Sequence, residues 1–556
     1  MQKYLDSRWM LAATYLAYGL LCLYMQHNLW FLAAADRPYG VGQVLGLFAA
    51  ALGAVALAGC AAPAATAQLW ERLPWSSPVR RAACLVMVVL AVLAPAIVAY
   101  GVIDRFANSG DEFAYIFQAK VFTSGRLWAQ APPLGDTFVP YRTWIIGDKW
   151  LSQYPPGWPL ALAAALAVGI PEWLLNALLG GGSAAALLSR LWRFPNRTFA
   201  FAVVGLYLLT PFYLFNAGSY YSHMLPALLV LLLCLTCLAY QRDKKILALV
   251  AAGALLGCIG LTRYFTLILL LPALCYWLFA ENRGDRVRIV VTMLAAGLPF
   301  LGFLMAYQNW VTGSLLRSTY SLITNDDTFV SFTPDHIALG AALTIDRLVE
   351  LSVWGSPLLI PVYLVCLASK LKRRSIAFYD LIFPAFIVGY VLFADLGGNR
   401  YGPRYYFDAY PVMLATVLSA IPREGADSWR RYRRSLAINA VLVSAVYLLT
   451  ALPFACVAFH RQVEGREEPY RLAAAQNLDN AVVIIETSSG RGLEAEDLAR
   501  NDAGLRAPVL YARQGADPAE LHRLFPNRSV WAYIRKDRTK PGRLERVSVA
   551  PAEGSR

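Results

Sequence analysis

Two adjacent carboxylates, Asp111 and Glu112, are the first residues along the chain whose types and spacing could carry out chemistry. They follow Gly110 in the polar stretch 104–158, which interrupts a chain that is otherwise mostly apolar. A carboxylate within hydrogen-bond reach of a hydroxyl group can take its proton and make it a better nucleophile. Because adjacent residues do not share a helix face, we expect one carboxylate to meet the substrate and the other to orient a neighbour or bind a cation. We assign the base to Asp111, and which of the two does the chemistry stays open at this point.

The same pair also has a structural interpretation. Ser109, Asp111 and Glu112 stand where a capping residue and first-turn acids belong at the start of a helix. Taken alone, these residue types favour helix capping over catalysis. Carboxylates at the mouth of a membrane segment are costly unless they are solvated, paired or used, so their place relative to the membrane bears on the choice.

Three arginine residues could bind an anion such as a phosphate group. Arg263 stands at a tight turn between two apolar runs, and Arg400 and Arg404 lie in the stretch GGNRYGPRYYFDAYP, which glycine and proline interrupt. A guanidinium binds phosphate through parallel hydrogen bonds, but an arginine at a membrane surface can also extend its head group into water. Both interpretations stay open for Arg263, whereas an anion is favoured for Arg400 and Arg404.

Aromatic residues and one histidine complete the candidate substrate-binding set. Tyr154 ends the polar stretch beside two prolines, where its ring forms either a rigid wall or a stacking platform. Tyr264 and Tyr405 each follow one of the arginines directly, so we group them with the same site. His223 could contact substrate, lipid headgroups or a metal, but no second metal ligand lies near it in the sequence. We assign it to substrate binding and name no metal ligand, while a divalent cation as cofactor stays open.

The composition indicates which elements must hold these residues. Hydrophobic residues make up 58% of the 556 residues and charged residues 15%, whereas a soluble globular chain is nearer half apolar and about a quarter charged. The apolar residues form long runs, so the predicted fold class is an all-α polytopic membrane protein. The net charge of +14 comes largely from basic residues in short turns, where they set orientation. A nucleic acid is therefore not expected as a partner.

We predict about 13 transmembrane helices. The first, within residues 1–34, follows a basic N-terminus and shows no convincing cleavage site, so we expect an uncleaved helix rather than a signal peptide. The others are predicted near residues 41–69, 82–103, 172–192, 198–215, 221–240, 245–261, 264–280, 288–308, 351–369, 377–394, 404–421 and 436–457.

The basic residues indicate the orientation. A cytoplasmic N-terminus puts a basic turn at every inner connection, as cytoplasmic loops usually have. This alternation requires that segment 155–169 does not cross the membrane, and its short length and two prolines suit a re-entrant helix. The outer face then carries the loop 104–154, predicted to be catalytic, and the C-terminal region 461–556. It also carries the turn 215–222, the loop 309–350 and the turn 395–404.

Residues 461–556 differ in composition from the membrane region 1–460. They are polar and contain three short strand-like runs, at 481–486, 507–512 and 530–535, with helix-like stretches between them. This pattern predicts a small soluble extracytoplasmic α/β domain of about 90 residues, which is large enough for a modest core. The nine cysteines all lie in apolar runs, so no disulfide framework is expected.

Several motifs of soluble enzymes do not occur in the sequence. It has no P-loop, no GxGxxG that opens a helix after a strand, no HExxH and no GxSxG. Soluble-nucleotide chemistry is therefore not indicated.

An ordered set of short motifs on the predicted outer face resembles a known superfamily. It consists of the Asp111–Glu112 pair followed by YPPGWP, SHMLP, LTRYFTLILLLP and RYGPRYYFDAYP. In this order the motifs resemble the GT-C superfamily of membrane glycosyltransferases, in particular bacterial relatives of dolichyl-phosphate-mannose protein mannosyltransferases and of lipid A aminoarabinose transferases. The resemblance covers most of residues 80–425, and the C-terminal part also looks like the tail of bacterial members.

The resemblance implies a reaction and its partners. A hexose or pentose would move from a polyisoprenyl-phosphate donor, undecaprenyl phosphate in a bacterium, to a glycan, lipid or protein acceptor. The transfer would take place at the outer face of the cell's inner membrane and would invert the anomeric carbon.

The resemblance also implies roles for individual residues. Asp111 and Glu112 match the family's acidic pair, and the arginines that hold the donor phosphate map best to Arg263 and Arg404. One departure concerns Asn176, which stands where many relatives carry an arginine early in the span after the first loop. The phosphate contact could therefore have moved to one of the outer arginines.

Two other functions fit parts of this pattern. A transporter or flippase of a lipid-linked sugar also needs basic residues at the membrane surface, but it predicts polar residues deep in several helices and often two similar halves, neither of which is clear here. A ligase acting on lipid-diphosphate-linked glycans would carry its long catalytic loop late in the chain, whereas the acidic loop comes early here.

Overall fold

A computed structural model describes residues 77–190, 197–320, 331–355, 359–393, 400–420, 452–487, 495–537 and 540–548. The first two predicted transmembrane helices and the N-terminal basic residues lie outside the described residues, as does most of the helix predicted at 436–457. The described part is mostly helical. Its two small β-sheets belong to regions that we predict to lie outside the membrane.

Nine helices come from the first half of the described chain. They are α1 (Ser77–Gly101), α2 (Gly110–Thr123), α3 (Gly157–Ala167), α4 (Glu172–Ser189), α5 (Arg197–Leu209), α6 (Pro211–Gly218), α7 (Met224–Asp243), α8 (Ile246–Thr262) and α9 (Tyr264–Tyr276). A π-helical turn, Trp277–Glu281, extends α9.

The second half of the described chain contributes further helices to the bundle and to the C-terminal region. They are α10 (Arg286–Thr312), α11 (Pro334–Trp354), α12 (Leu359–Lys372), α13 (Ile382–Val391), α14 (Tyr410–Ala420), α15 (Leu452–Ala475), α16 (Ala495–Leu498) and α17 (Pro518–Leu524). Short 3-10 turns precede α13 and α14, at Phe378–Leu381 and Arg404–Ala409.

The chain is an integral membrane protein. Among the described residues, α1, α7, α9 with its extension and α10 are long and apolar enough to cross a membrane, and the bent pair of α3 and α4 makes a fifth span if it is counted as one. The predicted count of about 13 is thus supported only in part. One of the predicted spans, 198–215, is broken into α5 and α6. The break lies at Thr210, whose hydroxyl oxygen accepts the Tyr213 N–H at 3.2 Å and caps α6, with Pro211 at its first position.

The segment 155–169, predicted to be re-entrant, contains α3. The axes of α3 and α4 are bent by 105° across a short break, which is the geometry of a broken span or of a re-entrant loop. Gly157 allows α3 to begin against the end of α8, because an added Cβ would lie 2.7 Å from the backbone of Leu261. The re-entrant assignment itself stays a prediction.

The predicted loop 309–350 needs correction, because α11 occupies its second half. Thr333 precedes the helix, and Pro334 takes a first-turn position that suits proline. The segment carries several charged residues, and this composition favoured a loop over a helix. Its buried Arg347 shows that the charges do not all face solvent.

The outer loop 104–154 folds around α2. Strands β1 (Ala129–Gln130), β2 (Thr143–Ile146) and β3 (Lys149–Ser152) form an antiparallel sheet in the order β1-β3-β2. Trp150 of β3 is fully buried against Phe117 of α2, with ring centroids 4.5 Å apart. The sheet therefore supports the helix that carries Asp111.

The C-terminal region contains a mixed four-stranded sheet. Its strands are β4 (Ala481–Thr487), β5 (Val509–Ala512), β6 (Ser529–Arg535) and β7 (Arg543–Arg546), in the order β5-β4-β6-β7. β4 is parallel to β5 and β6, and β7 is antiparallel to β6. The three strand-like runs of the sequence form β4, β5 and β6, whereas β7 was not predicted.

The two faces of this sheet pack against different partners. Val483 and Ile485 of β4 pack with Ala473 of α15. On the other face, Val482 packs with Phe138, which comes from the outer loop and is fully buried. The loop and the C-terminal sheet therefore share a hydrophobic core.

A buried ion pair fixes α12 against the turn before α13. Lys370 Nζ lies 2.8 Å from Asp380 Oδ1 and 2.6 Å from its Oδ2. Both side chains are buried. Asp380 also accepts the Ala377 N–H at 2.7 Å, and Lys370 donates to the Ser419 hydroxyl at 2.9 Å, so the pair is fully embedded in hydrogen bonds.

We predict that Lys370→Met lowers the free energy of unfolding by about 3–5 kcal/mol, because it leaves the Asp380 carboxylate buried without its cation. Thermal unfolding of the purified protein in detergent would measure the effect as a fall in Tm. Lys372→Met, at an exposed position of the same helix, is the matched control. Equal Tm values for the two variants would contradict the prediction.

Candidate active site

The first turn of α2 places the two predicted carboxylates in different surroundings. Ser109 caps the helix: its hydroxyl oxygen accepts the Glu112 N–H at 3.2 Å and donates to Glu112 Oε2 at 3.0 Å. The capping interpretation therefore describes Ser109 and Glu112. Asp111 takes no part in the cap and turns to the neighbouring arginines.

Glu112 is enclosed and serves as an anchor for the turn after α6. Its side chain is fully buried, and Oε1 accepts the Tyr220 N–H at 3.0 Å. Burial raises the pKa of Glu112 above its ordinary value, although Arg400 and the two hydrogen bonds act in the opposite direction. Glu112 thus holds two segments together and has no exposed surface for a substrate.

Asp111 keeps part of its surface exposed and is surrounded by hydrogen-bond donors. Its side chain is 16% exposed. Arg404 Nη2 donates to Oδ2 at 3.1 Å, Arg142 Nε lies 3.3 Å from Oδ1, and the Tyr154 hydroxyl donates to Oδ1. Burial alone would raise the pKa of Asp111, but Arg142, Arg404 and the Tyr154 hydroxyl outweigh it and hold the pKa below its ordinary value. Asp111 is therefore a stable carboxylate.

A second carboxylate, Asp408, organises the neighbouring part of the site. It is fully buried. Its Oδ1 lies 3.0 Å from His223 Nδ1, and its Oδ2 accepts the Thr266 hydroxyl at 2.5 Å and lies 3.3 Å from Arg263 Nε. The sequence analysis did not select Asp408, although it lies in the motif that contains Arg404.

His223 lies behind Arg263 and is almost fully buried. Its Nε2 is 3.4 Å from Arg263 Nη1, which can only donate, so Nε2 acts as acceptor and the Nδ1–H donates to Asp408. The structure therefore places His223 as a support for Arg263 and leaves it almost no surface for the substrate contact that we predicted.

Three guanidinium groups surround the ring of Tyr405. The guanidinium carbons of Arg347, Arg404 and Arg263 lie 5.2, 5.6 and 5.9 Å from the ring centroid. The sequence analysis identified Arg263, Arg404 and Tyr405 but missed Arg347, which lies in the segment predicted to be a loop. The cluster brings several positively charged hydrogen-bond donors close together. This arrangement suits an anionic ligand that is rich in oxygen, such as a phosphate.

Arg400 interacts with carboxylates of α2 and of the C-terminal region. Burial would lower its pKa, but neighbouring groups, among them Glu112 and Asp497, outweigh it and raise the pKa. Arg400 in turn helps to lower the pKa of Asp111. The chain reverses direction between Arg400 and Arg404, where Tyr401 and Gly402 adopt positive φ angles of 61° and 85°. Both arginines act on Asp111, and Arg400 also interacts with Asp497 of the C-terminal region.

The remaining predicted tyrosines, Tyr154 and Tyr264, pack against a common third tyrosine. Tyr154 packs on Tyr115, with ring centroids 4.4 Å apart, and meets Tyr320 edge-on at 5.6 Å. Tyr264 meets the same Tyr320 ring at 6.3 Å. Tyr154 and Tyr264 are therefore joined through a third tyrosine into one aromatic wall.

Asn176 has a structural role at the position where we looked for an arginine. Its Nδ2 donates to the carbonyl oxygens of Ser219 at 2.7 Å and Tyr221 at 2.8 Å. It thus shapes the same turn that Glu112 anchors. Within the described ranges, no group of three or more His, Cys, Asp or Glu side chains is arranged to hold a metal ion.

The fold is similar to that of ArnT from Cupriavidus metallidurans. The crystal structure of ArnT bound to undecaprenyl phosphate matches with a TM-score of 0.51 and 15% identity, over 80% of this chain and 92% of that one. The apo structure matches with a TM-score of 0.51 and 14% identity, over 81% and 92%. This chain has the fold of ArnT. The resemblance predicted from the motifs is confirmed for the fold. A sequence identity of 15% supports a shared fold alone.

Other comparisons give weaker matches. The archaeal oligosaccharyltransferase AglB from Archaeoglobus fulgidus, in complex with an inhibitory peptide and a dolichol-phosphate, matches with a TM-score of 0.40 and 13% identity, over 77% of this chain and 64% of that one. A family model described as TraX protein matches residues 183–345, which is less than half of the chain. No curated protein matches the chain.

Proposed function

We propose that this protein is a membrane glycosyltransferase that moves a sugar from a polyisoprenyl-phosphate donor to a hydroxyl group of an acceptor. The observation that carries the proposal is the 3.1 Å contact between Asp111 and Arg404. It joins a carboxylate suited to act as a base to a cluster of arginines suited to a phosphate. The GT-C fold, shared with a structure that binds undecaprenyl phosphate, supports a lipid-linked donor of that kind.

The proposed reaction uses Asp111 as the base. A carboxylate offers about four acceptor positions. Tyr154 and Arg404 donate hydrogen bonds to two of them, and Arg142 lies close by as an ion-pair partner. One of the other positions takes the acceptor's hydroxyl proton. As the acceptor oxygen bonds to the anomeric carbon it becomes strongly acidic, so even a carboxylate of low pKa can take its proton.

The arginines act on the lipid phosphate, which is the leaving group of the same displacement. The bond between the anomeric carbon and the phosphate oxygen breaks as the new glycosidic bond forms, and its electron pair stays on the lipid phosphate. Arg404, Arg263 and Arg347 would stabilise this growing negative charge, because fixed cations are most effective where charge develops. Asp408 and His223 hold Arg263 in place for that role. A single displacement of this kind inverts the anomeric carbon.

The proposed site lies at the extracytoplasmic face. The distribution of basic residues over the short turns of the sequence supports this orientation, with the loop 104–154 and the region 461–556 on the outer side. In a bacterium, this is the outer face of the inner membrane, and the donor lipid is undecaprenyl phosphate.

We predict that Asp111→Asn reduces sugar transfer at least about a hundredfold, because the amide cannot take the acceptor proton. Transfer is measured as incorporation of label into envelope material from a panel of undecaprenyl-phosphate-linked hexoses and pentoses. Glu112→Gln is the matched control, because a glutamine side chain can still accept the Tyr220 N–H, and we expect most activity to remain.

The two variants also identify the base. Full transfer by Asp111→Asn, or loss confined to Glu112→Gln, would refute the role of Asp111. If the unchanged protein binds undecaprenyl phosphate but transfers none of the sugars, the flippase alternative is favoured.

We expect Arg404→Ala to weaken the binding of undecaprenyl phosphate about tenfold or more, because it removes a charge-assisted hydrogen-bond donor from the phosphate site. Native mass spectrometry of the purified protein would measure the affinity. Arg400→Ala is the control, since Arg400 interacts with Asp497 and with the carboxylates of α2, whereas Arg404 lies in the cluster around the Tyr405 ring. Equal loss of binding in both variants would count against a phosphate site at the Tyr405 cluster.

Arg142→Gln should move the acid limb of the pH–rate profile to higher pH. Arg142 helps to hold the pKa of Asp111 below its ordinary value, so without it the base becomes protonated, and inactive, at a higher pH. In the unchanged protein, the acid limb that is due to Asp111 lies below the range of an ordinary aspartate, because the pKa of Asp111 is lowered. Transfer rates of the two proteins across the acidic range test this, and an unshifted limb speaks against Asp111 as the titrating group.

A further inference from the structure

The C-terminal sheet holds the outer loop through a side chain that the loop inserts into it. Phe138 is fully buried in the core of the sheet and meets Phe525 edge-on at 5.7 Å. Asn501 Nδ2 donates to the Phe138 carbonyl at 3.0 Å, and Arg513 Nε donates to the Val139 carbonyl at 2.7 Å. The middle of the loop is therefore bound by side chain and backbone together.

A second contact lies at the start of α2, directly beside Asp111. An added Cβ on Gly110 would lie 2.8 Å from Asp497 Oδ1 and 2.7 Å from the ring of Tyr141. The Asp497 carboxylate therefore rests against the backbone of the residue that precedes Asp111. Only glycine leaves room for this approach without a shift of one of the two neighbours.

Asp497 is itself held on several sides. It is buried, it forms an ion pair with the buried Arg466 of α15, and its Oδ1 lies 3.6 Å from Arg500 Nη2. Arg500 continues toward the loop, where its Nη1 donates to the Ala107 carbonyl at 2.6 Å and its guanidinium lies 4.6 Å from the ring of Phe106. The segment just before α2 is thus fixed from the same C-terminal residues.

Asp497 also interacts electrostatically with Arg400, which interacts in turn with Glu112. Charges of alternating sign therefore run from Arg466 through Asp497 and Arg400 to Glu112, the residue next to Asp111. Arg466 and Arg500 would suffice to neutralise Asp497 inside the C-terminal region. The contacts with Gly110 and Arg400 lie outside that region and point to a role at α2.

We propose that Asp497 is a positioning residue, which fixes the first turn of α2 and thereby holds Asp111 at its place beside Arg404. This inference rests on the proposed function, in which Asp111 is the base. A displacement of about 1 Å at a reacting group can lower a rate by about a hundredfold. Asp497 therefore acts on the rate of transfer without touching either substrate.

The test compares Asp497→Asn with Glu468→Gln in the full-length protein. Glu468 forms a similar C-terminal ion pair, with Arg535 at 3.1 Å, and accepts the Tyr533 hydroxyl. We expect Asp497→Asn to lower kcat at least about tenfold, with the KM for the lipid-linked donor and the affinity for undecaprenyl phosphate unchanged within about twofold. Glu468→Gln should leave kcat close to that of the unchanged protein.

Hydrogen exchange of residues 107–123 supplies a readout that does not depend on catalysis. Asp497→Asn should raise exchange in this segment, and Glu468→Gln should not. Because Asp497→Asn leaves Arg466 buried beside a neutral partner, the double variant Asp497→Asn/Arg466→Met is measured as well. It removes the unpaired charge, and we expect its Tm to recover while kcat stays low.

The outcomes separate this proposal from the function on which it rests. Wild-type kcat together with unchanged exchange in folded Asp497→Asn would overturn the positioning role, and so would an equal loss of kcat in Glu468→Gln. If the unchanged protein shows no transfer at all, the proposed function fails. Raised exchange at α2 in Asp497→Asn would then still support the contact, and unchanged exchange would refute it.

Discussion

The ion pair between Asp111 and Arg404 is the contact on which the outer half of this protein depends. Its two residues are 293 positions apart in the sequence and lie 3.1 Å apart in the fold. Asp111 belongs to the helix of the outer loop, and Arg404 to the turn that leads into α14. Two charges that have lost most of their water are stable only together, so the pair ties the acidic loop to the helix bundle. The other contacts of the site adjust the surroundings of this pair.

Three carboxylates in one small region differ because of what reaches each of them. Asp408 is fully enclosed and supplies a fixed negative charge to Arg263. Glu112 is enclosed with a hydroxyl and a backbone N–H, and burial raises its pKa. Asp111 is surrounded by cations and still meets solvent. Burial and neighbours, rather than residue type, therefore distinguish the two supporting carboxylates from the proposed base.

The sequence predicted features that depend on local signals and missed those that depend on distant contacts. The start of α2 and strands β4 to β6 were found because caps and alternating apolar residues act over a few positions. Arg347 was missed because it lies in α11, whose charged residues are typical of a loop. The contact that identifies it is with the ring of Tyr405, which is distant in the sequence. Arg400 was grouped with Arg404 by spacing, but its interaction with Asp497, almost 100 positions later, gave no signal in the sequence. The number of spans was predicted from hydropathy, which does not register a break such as the one at Thr210.

The burial of Phe138 in the C-terminal sheet has a consequence for the order in which the protein matures. The strands that enclose this ring are synthesised long after the loop that carries it. The membrane helices on either side of the loop can therefore be inserted while the loop still lacks its core. Its final packing must wait until the last strands have emerged and paired. A chain interrupted before that point would keep its membrane anchor and its acidic helix, but the ring of Phe138 would remain exposed to water.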